Sequence, residues 1–166
     1  MKSKVSAIFF TLLLSQNSLA DFNDGVVAFI AGNYENALSI FVPLAETTNH
    51  AYAQYFIGRM YAAGQGVHKN TEMAAEWYRK ASKHGVADAQ YRLGDLYKNG
   101  DGVPRDIERA YGWYSVAAHL GNAKATTAAE RAAELLSPLE FDAAVTLSSE
   151  LIEKYGKTPQ ETARTQ

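Results

Sequence analysis

The sequence predicts an all-α protein: an α/α superhelical solenoid of antiparallel helix pairs on a 36-residue repeat, with a C-terminal capping helix. Three observations carry this. First, residues 49–84 and 85–120 match each other at a constant offset of 36, with no gap. Ala53, Gln54, Tyr55, Gly58 and Tyr61 meet Ala89, Gln90, Tyr91, Gly94 and Tyr97. Gly64, Gly66 and Val67 meet Gly100, Gly102 and Val103, and Ala74, Trp77, Tyr78 and Ala81 meet Ala110, Trp113, Tyr114 and Ala117. Second, within each copy the matched residues recur at three- and four-residue steps, the spacing of one helix face. Third, a single helix pair could not bury these faces, whereas stacked pairs can.

The chain of 166 residues is 47% hydrophobic and 20% charged, the composition of one folded globular unit. Its first element is not expected to belong to the fold. Residues 1–20 hold Lys2 and Lys4, an apolar run from Val5 to Leu14, and Ser18-Leu19-Ala20 with small residues at the −3 and −1 positions. This is the anatomy of a secretory signal peptide cleaved after Ala20. The run is too short for a bilayer core of about 30 Å, so no membrane anchor is expected. The expected destination is the periplasm or the medium. With no cysteine in the chain, disulfides, thiolate metal sites and a lipidated N-terminal cysteine are excluded.

Residues 21–48 read as a degenerate N-terminal helix pair: Leu38, Phe41 and Ala45 stand 36 before Ala74, Trp77 and Ala81. In the first full repeat, helices are expected over Ala51–Tyr61 and Thr71–Ala81. One glycine of the Gly64-x-Gly66 loop is expected to end the first helix in a left-handed conformation, with Val67 tucked between the helices. The second repeat follows the same plan, with Pro104 barring helix extension and Asp106 placed as a cap. Residues 121–156 form a partial repeat and the capping helix, since Gly121, Ala123 and Ala125 stand 36 after Gly85, Ala87 and Ala89. Ser137, Pro138 and Glu140 compose a capping box, and Phe141, Ala144, Val145, Ser148, Leu151 and Ile152 one helix face. Residues 157–166 are polar and read as a flexible tail.

The loop "NGDGVPRD" invites two ligand readings. A phosphate loop is disfavoured because no strand precedes it and no Lys-Ser/Thr follows. A calcium loop is disfavoured because Asp101 and Asp106 become Gln65 and Asn70 in the other copy, and the position of the bidentate glutamate is unfilled. The loop reads as a turn.

These residues resemble the Sel-one-like repeat family, a subclass of tetratricopeptide-type solenoids. The pattern Ala-x-Ala-Gln-x-x-Leu-Gly-x-x-Tyr, Gly-x-Gly-Val and Ala-x-x-Trp-Tyr-x-x-Ala is met at Ala51–Ala81, with Ile57 at the leucine place, and again at Ala87–Ala117. "GNYENALSIFVPLAE" (Gly32–Glu46) also looks like the second helix with which exported members of the family begin. The resemblance implies a module that binds other proteins: an adaptor, regulator or inhibitor. Absence of cysteine separates the chain from the cysteine-rich branch, for which β-lactam binding has been proposed.

No catalytic constellation is visible. His50, His68, His84 and His119 share no ligand spacing, and no Ser-x-x-Lys or Gly-x-Ser-x-Gly occurs. No cofactor, metal or catalytic residue is therefore assigned, and the net charge of −2 gives no reason to expect nucleic acid. A binding surface is inferred from positions that change between copies while their neighbours match. Tyr52, Phe56, Arg59 and Ala63 become Asp88, Arg92, Asp95 and Asn99, then Lys124, Ala128, Arg131 and Leu135. Steps of four, three and four place each set on one helix face, expected to line the concave side and hold a protein or peptide. For Tyr52 and Phe56 a second reading stands, in which they pack on the N-terminal pair. The alternative to a protein-binding module is a cell-wall glycan or β-lactam-related binder or hydrolase; self-association through a solenoid end is a third possibility.

Overall fold

The computed structural model describes residues 21–164, so the expected leader at 1–20 lies outside the described residues. Every regular element among them is a helix: α1 (residues 21–30), α2 (Tyr34–Thr47), α3 (Ala51–Ala63), α4 (Thr71–Lys83), α5 (Ala87–Asn99), α6 (Ile107–His119), α7 (Ala123–Ala133), α8 (Pro138–Tyr155) and α9 (Pro159–Arg164). Helix α3 packs on α4 and α5 on α6, α4 joins the two pairs, and α6 carries both α7 and α8. This is the α/α solenoid that the 36-residue period predicts, and its repeat helices begin where expected and run two residues further.

Local chemistry sets the boundaries. Gly64 and Gly100 stop α3 and α5 with φ of 71° and 78°, where a β-carbon would crowd the backbone. The second loop glycine is left-handed too, and it serves stacking. A β-carbon on Gly66 would lie 2.8 Å from Tyr34 Cβ, and one on Gly102 would run into the backbone of Thr71. Each loop therefore lies against the start of the second helix in the unit before it. Asn70 Oδ1 accepts from Met73 N at 2.9 Å and Asp106 Oδ1 from Arg109 N at 2.8 Å, capping α4 and α6. The box at Ser137 forms as expected, Glu140 Oε2 accepting from Ser137 N at 2.8 Å. Helix α2 absorbs Pro43 without breaking.

The matched residues are the packing residues. A β-carbon on Gly58 would come within 2.7 Å of the Tyr78 ring, and one on Gly94 within 2.6 Å of the Tyr114 ring. Each tyrosine thus lies across the bare backbone of its partner helix. The matched glutamines tie successive units: buried Gln54 donates to Ala45 O at 3.3 Å, and buried Gln90 to Ser82 O at 3.0 Å. Both acceptors lie near a helix C-terminus, where carbonyls lack intrahelical partners. Trp77 is buried in the N-terminal cluster with Phe41 and Ile57. Trp113 is buried in the second cluster and stacks on Tyr155, centroids 5.7 Å apart.

Helix α8 covers α6 along its length. Phe141 meets Tyr111 edge-on at 5.5 Å, and Leu151 Cδ1 lies 3.0 Å from a β-carbon built on Gly112. Of the expected face, Ala144 and Ser148 are buried, but Val145 is 38% exposed. Residues 157–166, expected as a flexible tail, differ in part. Thr158 and Glu161 form a second capping box, with Glu161 Oε2 accepting from Thr158 N at 2.7 Å, and α9 follows. The chain also turns back onto the repeats: Gln90 Nε2 donates to Tyr155 O at 3.1 Å, and Lys157 O lies against Gly85. Gly85 has no side chain to obstruct it. This return contact is what polarity alone could not show.

Candidate functional site

The first helices of successive units, α3, α5 and α7, share a furrowed face. Between α3 and α5 runs a cleft of about 630 Å³ holding Arg59, Arg92, Asp95 and Asn99, with Gln65 and Lys69 from the loop. Between α5 and α7 a second cleft of about 430 Å³ holds Tyr91, Asp95, Lys98, Lys124 and Arg131. Asp95 borders both, so the two clefts adjoin, and together they are called the trough. Six of the nine residues expected to bind a partner are thereby brought together: Arg59, Arg92, Asp95, Asn99, Lys124 and Arg131.

Asp95 is fixed from below. The Tyr114 hydroxyl donates to its Oδ1 at 2.8 Å, and Arg92 Nη1 stands 3.7 Å from its Oδ2. Burial first, and then the bond to Asp95, push the Tyr114 phenol far above its ordinary range; burial does the same to Tyr78. Both remain neutral at any physiological pH. Tyr55 and Tyr91 are also raised, mainly by burial. Arg59 is held differently: its guanidinium lies 4.7 Å from the Phe29 ring centroid and 5.4 Å from that of Phe56. A cation–π contact of this kind restrains the group and leaves N–H donors for carboxylates.

The structure moves three residues out of the trough. Phe56 belongs to the N-terminal aromatic cluster, stacked on Phe41 at 5.0 Å and edge-on to Phe29 at 5.1 Å. Its expected place on the binding face gives way to the second reading, because α1 and α2 supply the rings that α3 must cover. Tyr52, 39% exposed, borders a separate cleft of about 380 Å³ with His50, His84 and Pro159 of α9. Asp88 accepts from Asn122 Nδ2 at 2.9 Å and so ties the start of α5 to the start of α7. Sequence reasoning, in turn, missed Tyr78, Gln65, Lys69 and Lys98. Tyr78 matches its counterpart, which marks it as packing, yet it also lines the first cleft while lying against Gly58. Lys98 lies off the stripes because it stands one residue before Asn99, the fourth step of its helix face.

Among the described residues no three metal-ligating side chains cluster, and no helix is long and apolar enough to cross a membrane. Residues 51–86 and 87–122 each match the family model of the Sel1 repeat. The chain superposes with a TM-score of 0.80 on a protective antigen of uropathogenic Escherichia coli that displays an SLR fold, at 29% identity over 99% of this chain and 36% of that one. It superposes with a TM-score of 0.64 on a Sel1 repeat protein from Oxalobacter formigenes, at 28% identity over 86% of this chain and 52% of that one. The chain thus spans about a third of the first neighbour and half of the second. No curated protein sequence matches the chain.

Proposed function

This chain carries two Sel1 repeats in an α/α solenoid, and from that premise we propose that it is an exported, non-catalytic module that holds a partner protein or peptide in the trough of α3, α5 and α7. Sel1 repeats generally mediate protein–protein interactions, and a solenoid supplies a surface without naming its partner. One observation carries the reading. Of the positions that change between the copies, Arg59, Arg92, Asp95, Asn99, Lys124 and Arg131 converge on one furrowed face, whereas most of the matched ones are consumed by packing. Arginine and tyrosine, the residue types that dominate interface energetics, line it. Export rests on residues 1–20, whose charged start, short apolar run and Ser-x-Ala end favour cleavage after Ala20.

The test is affinity capture from the native cell envelope, with the wild type beside an Arg92→Glu/Lys124→Glu variant. Both side chains are exposed, so the variant is expected to melt like the wild type. A protein retained by the wild type and lost by the variant supports the module. Equal capture by both places binding off the trough and overturns the assignment. Fractionation with N-terminal sequencing checks export: the expected first residue is Asp21.

A further inference from the structure

The charge of the chain is unevenly placed. The two clefts are lined by six basic residues, Arg59, Lys69, Arg92, Lys98, Lys124 and Arg131, against two acidic ones, Asp95 and Asp101. With six of the chain's sixteen basic residues and two of its eighteen acidic ones in the trough, the remainder carries ten basic against sixteen acidic. A basic furrow on an otherwise acidic molecule focuses field lines and steers anions toward it.

The cations are also available. Among the described residues the trough's one ion pair within 4.0 Å is Arg92 with Asp95, at 3.7 Å. Among the described residues, Lys69, Lys98, Lys124 and Arg131 face no carboxylate at that range. Arg59 and Arg92 lie near aromatic faces, Arg92 5.6 Å from the Tyr91 centroid. Guanidinium groups restrained by such contacts meet carboxylates at a reduced entropic cost.

Asp95 sits where the two clefts adjoin, its carboxylate anchored by Tyr114, with Arg59 and Lys69 lining one cleft and Lys124 and Arg131 the other. A strand of evenly spaced phosphates crossing the trough would place a phosphate against this fixed negative charge. A polypeptide need not: it can set acidic side chains in each cleft and present a backbone N–H, a hydroxyl or an amide between them.

Resting on the trough as the partner-binding face, we propose that the occupant is an acidic polypeptide segment, with two Asp/Glu clusters flanking a neutral, hydrogen-bond-donating residue. The carboxylates sit with Arg59, Arg92 and Lys69 in the first cleft and with Lys98, Lys124 and Arg131 in the second, and the central donor meets Asp95.

The experiment is selection of a random twelve-residue phage-displayed peptide library on the immobilised protein, followed by titration of the enriched peptides as labelled probes. Enriched sequences are expected to carry two acidic clusters separated by a few neutral residues. Their binding is expected to fall at least about tenfold with Lys124→Glu/Arg131→Glu, and by a similar factor on raising salt from 50 to 500 mM. Enrichment of neutral or basic peptides that the same variant abolishes would overturn the acidic partner while leaving the trough as the binding face. Peptides indifferent to the variant, or no enrichment, would overturn both. A poly-dT oligonucleotide bound more tightly than the best acidic peptide would overturn the discrimination assigned to Asp95.

Discussion

Phe56 and His50 show how one residue can be read two ways until its neighbours are in place. On sequence, Phe56 occupies a position that changes between copies and so counts as surface. In the structure it is half-buried among Phe22, Phe29 and Phe41. Phe56→Ala is therefore expected to cost about 2–4 kcal/mol, somewhat below a fully buried phenylalanine, read as a shift in the denaturation midpoint. An unchanged midpoint would return Phe56 to the surface. His50 caps α3, its Nδ1 accepting from Ala53 N at 3.2 Å, and stacks on Phe22 at 4.4 Å. Burial holds it below the ordinary imidazole value of 6.5, partly opposed by its backbone hydrogen bond; His84 is lowered by burial and then by Lys83. Folding thus favours the neutral rings. Their contribution is fully present above pH 6.5 and is lost as pH falls through the lowered folded values. The melting temperature is expected to drop between pH 7 and 5, and His50→Asn, which keeps a cap acceptor but cannot titrate, to flatten part of that slope. A slope identical in the variant would remove His50 from the account.

Between elements, the repeat is held by close approaches that only certain residues permit. The Gly94 backbone lies under the Tyr114 ring, and the same ring carries the hydroxyl that fixes Asp95. Gly94→Ala brings a methyl group to 2.6 Å of that ring. It also raises helix propensity by about 1 kcal/mol. Overpacking of a buried ring costs roughly 1–3 kcal/mol, so the expected net change is destabilising and small. The informative readout is different: displacement of Tyr114 breaks its hydrogen bond to Asp95, which a change in the NMR chemical shift of the Asp95 carboxyl carbon would detect. If that chemical shift stays the same in the alanine variant, Gly94 does not position the trough. These contacts were legible as pattern, since Gly58 and Gly94 recur 36 apart, but not as geometry. Periodicity says that two positions share a constraint; it does not say that the constraint aims a phenol at a carboxylate.

For the whole molecule, the C-terminal segment decides how the stack is closed. Helix α8 covers the α6 face that holds Trp113 and Gly112, its last residue Tyr155 accepts from Gln90, and the chain after it returns to Gly85 in the second repeat. A chain ending at Ala133 is expected to lose cooperative thermal unfolding, because the second core cluster loses Leu151 and Tyr155 from its cover. A chain ending at Tyr155 keeps that cover and is expected to unfold cooperatively at a lower temperature. Circular dichroism melts of the two truncations separate these outcomes; cooperative melting of the shorter chain would show the repeats to be self-sufficient.

The sequence by itself determined the solenoid, its 36-residue period, the starts of the repeat helices, the capping box at Ser137 and six of the residues that meet in the trough. Each of these depends on residue type at fixed spacing: glycine where φ must be positive, a side-chain oxygen where a helix begins, apolar residues at helical steps. Only the tertiary structure decided that Phe56 and Tyr52 leave the trough, that Asp88 ties α5 to α7, that Asp95 joins the two clefts, and that the polar tail folds back as α9. Those outcomes depend on which distant segment supplies the neighbouring surface. Side chains of equal polarity and spacing can end in a core or in a cleft, and contacts between separate elements choose which.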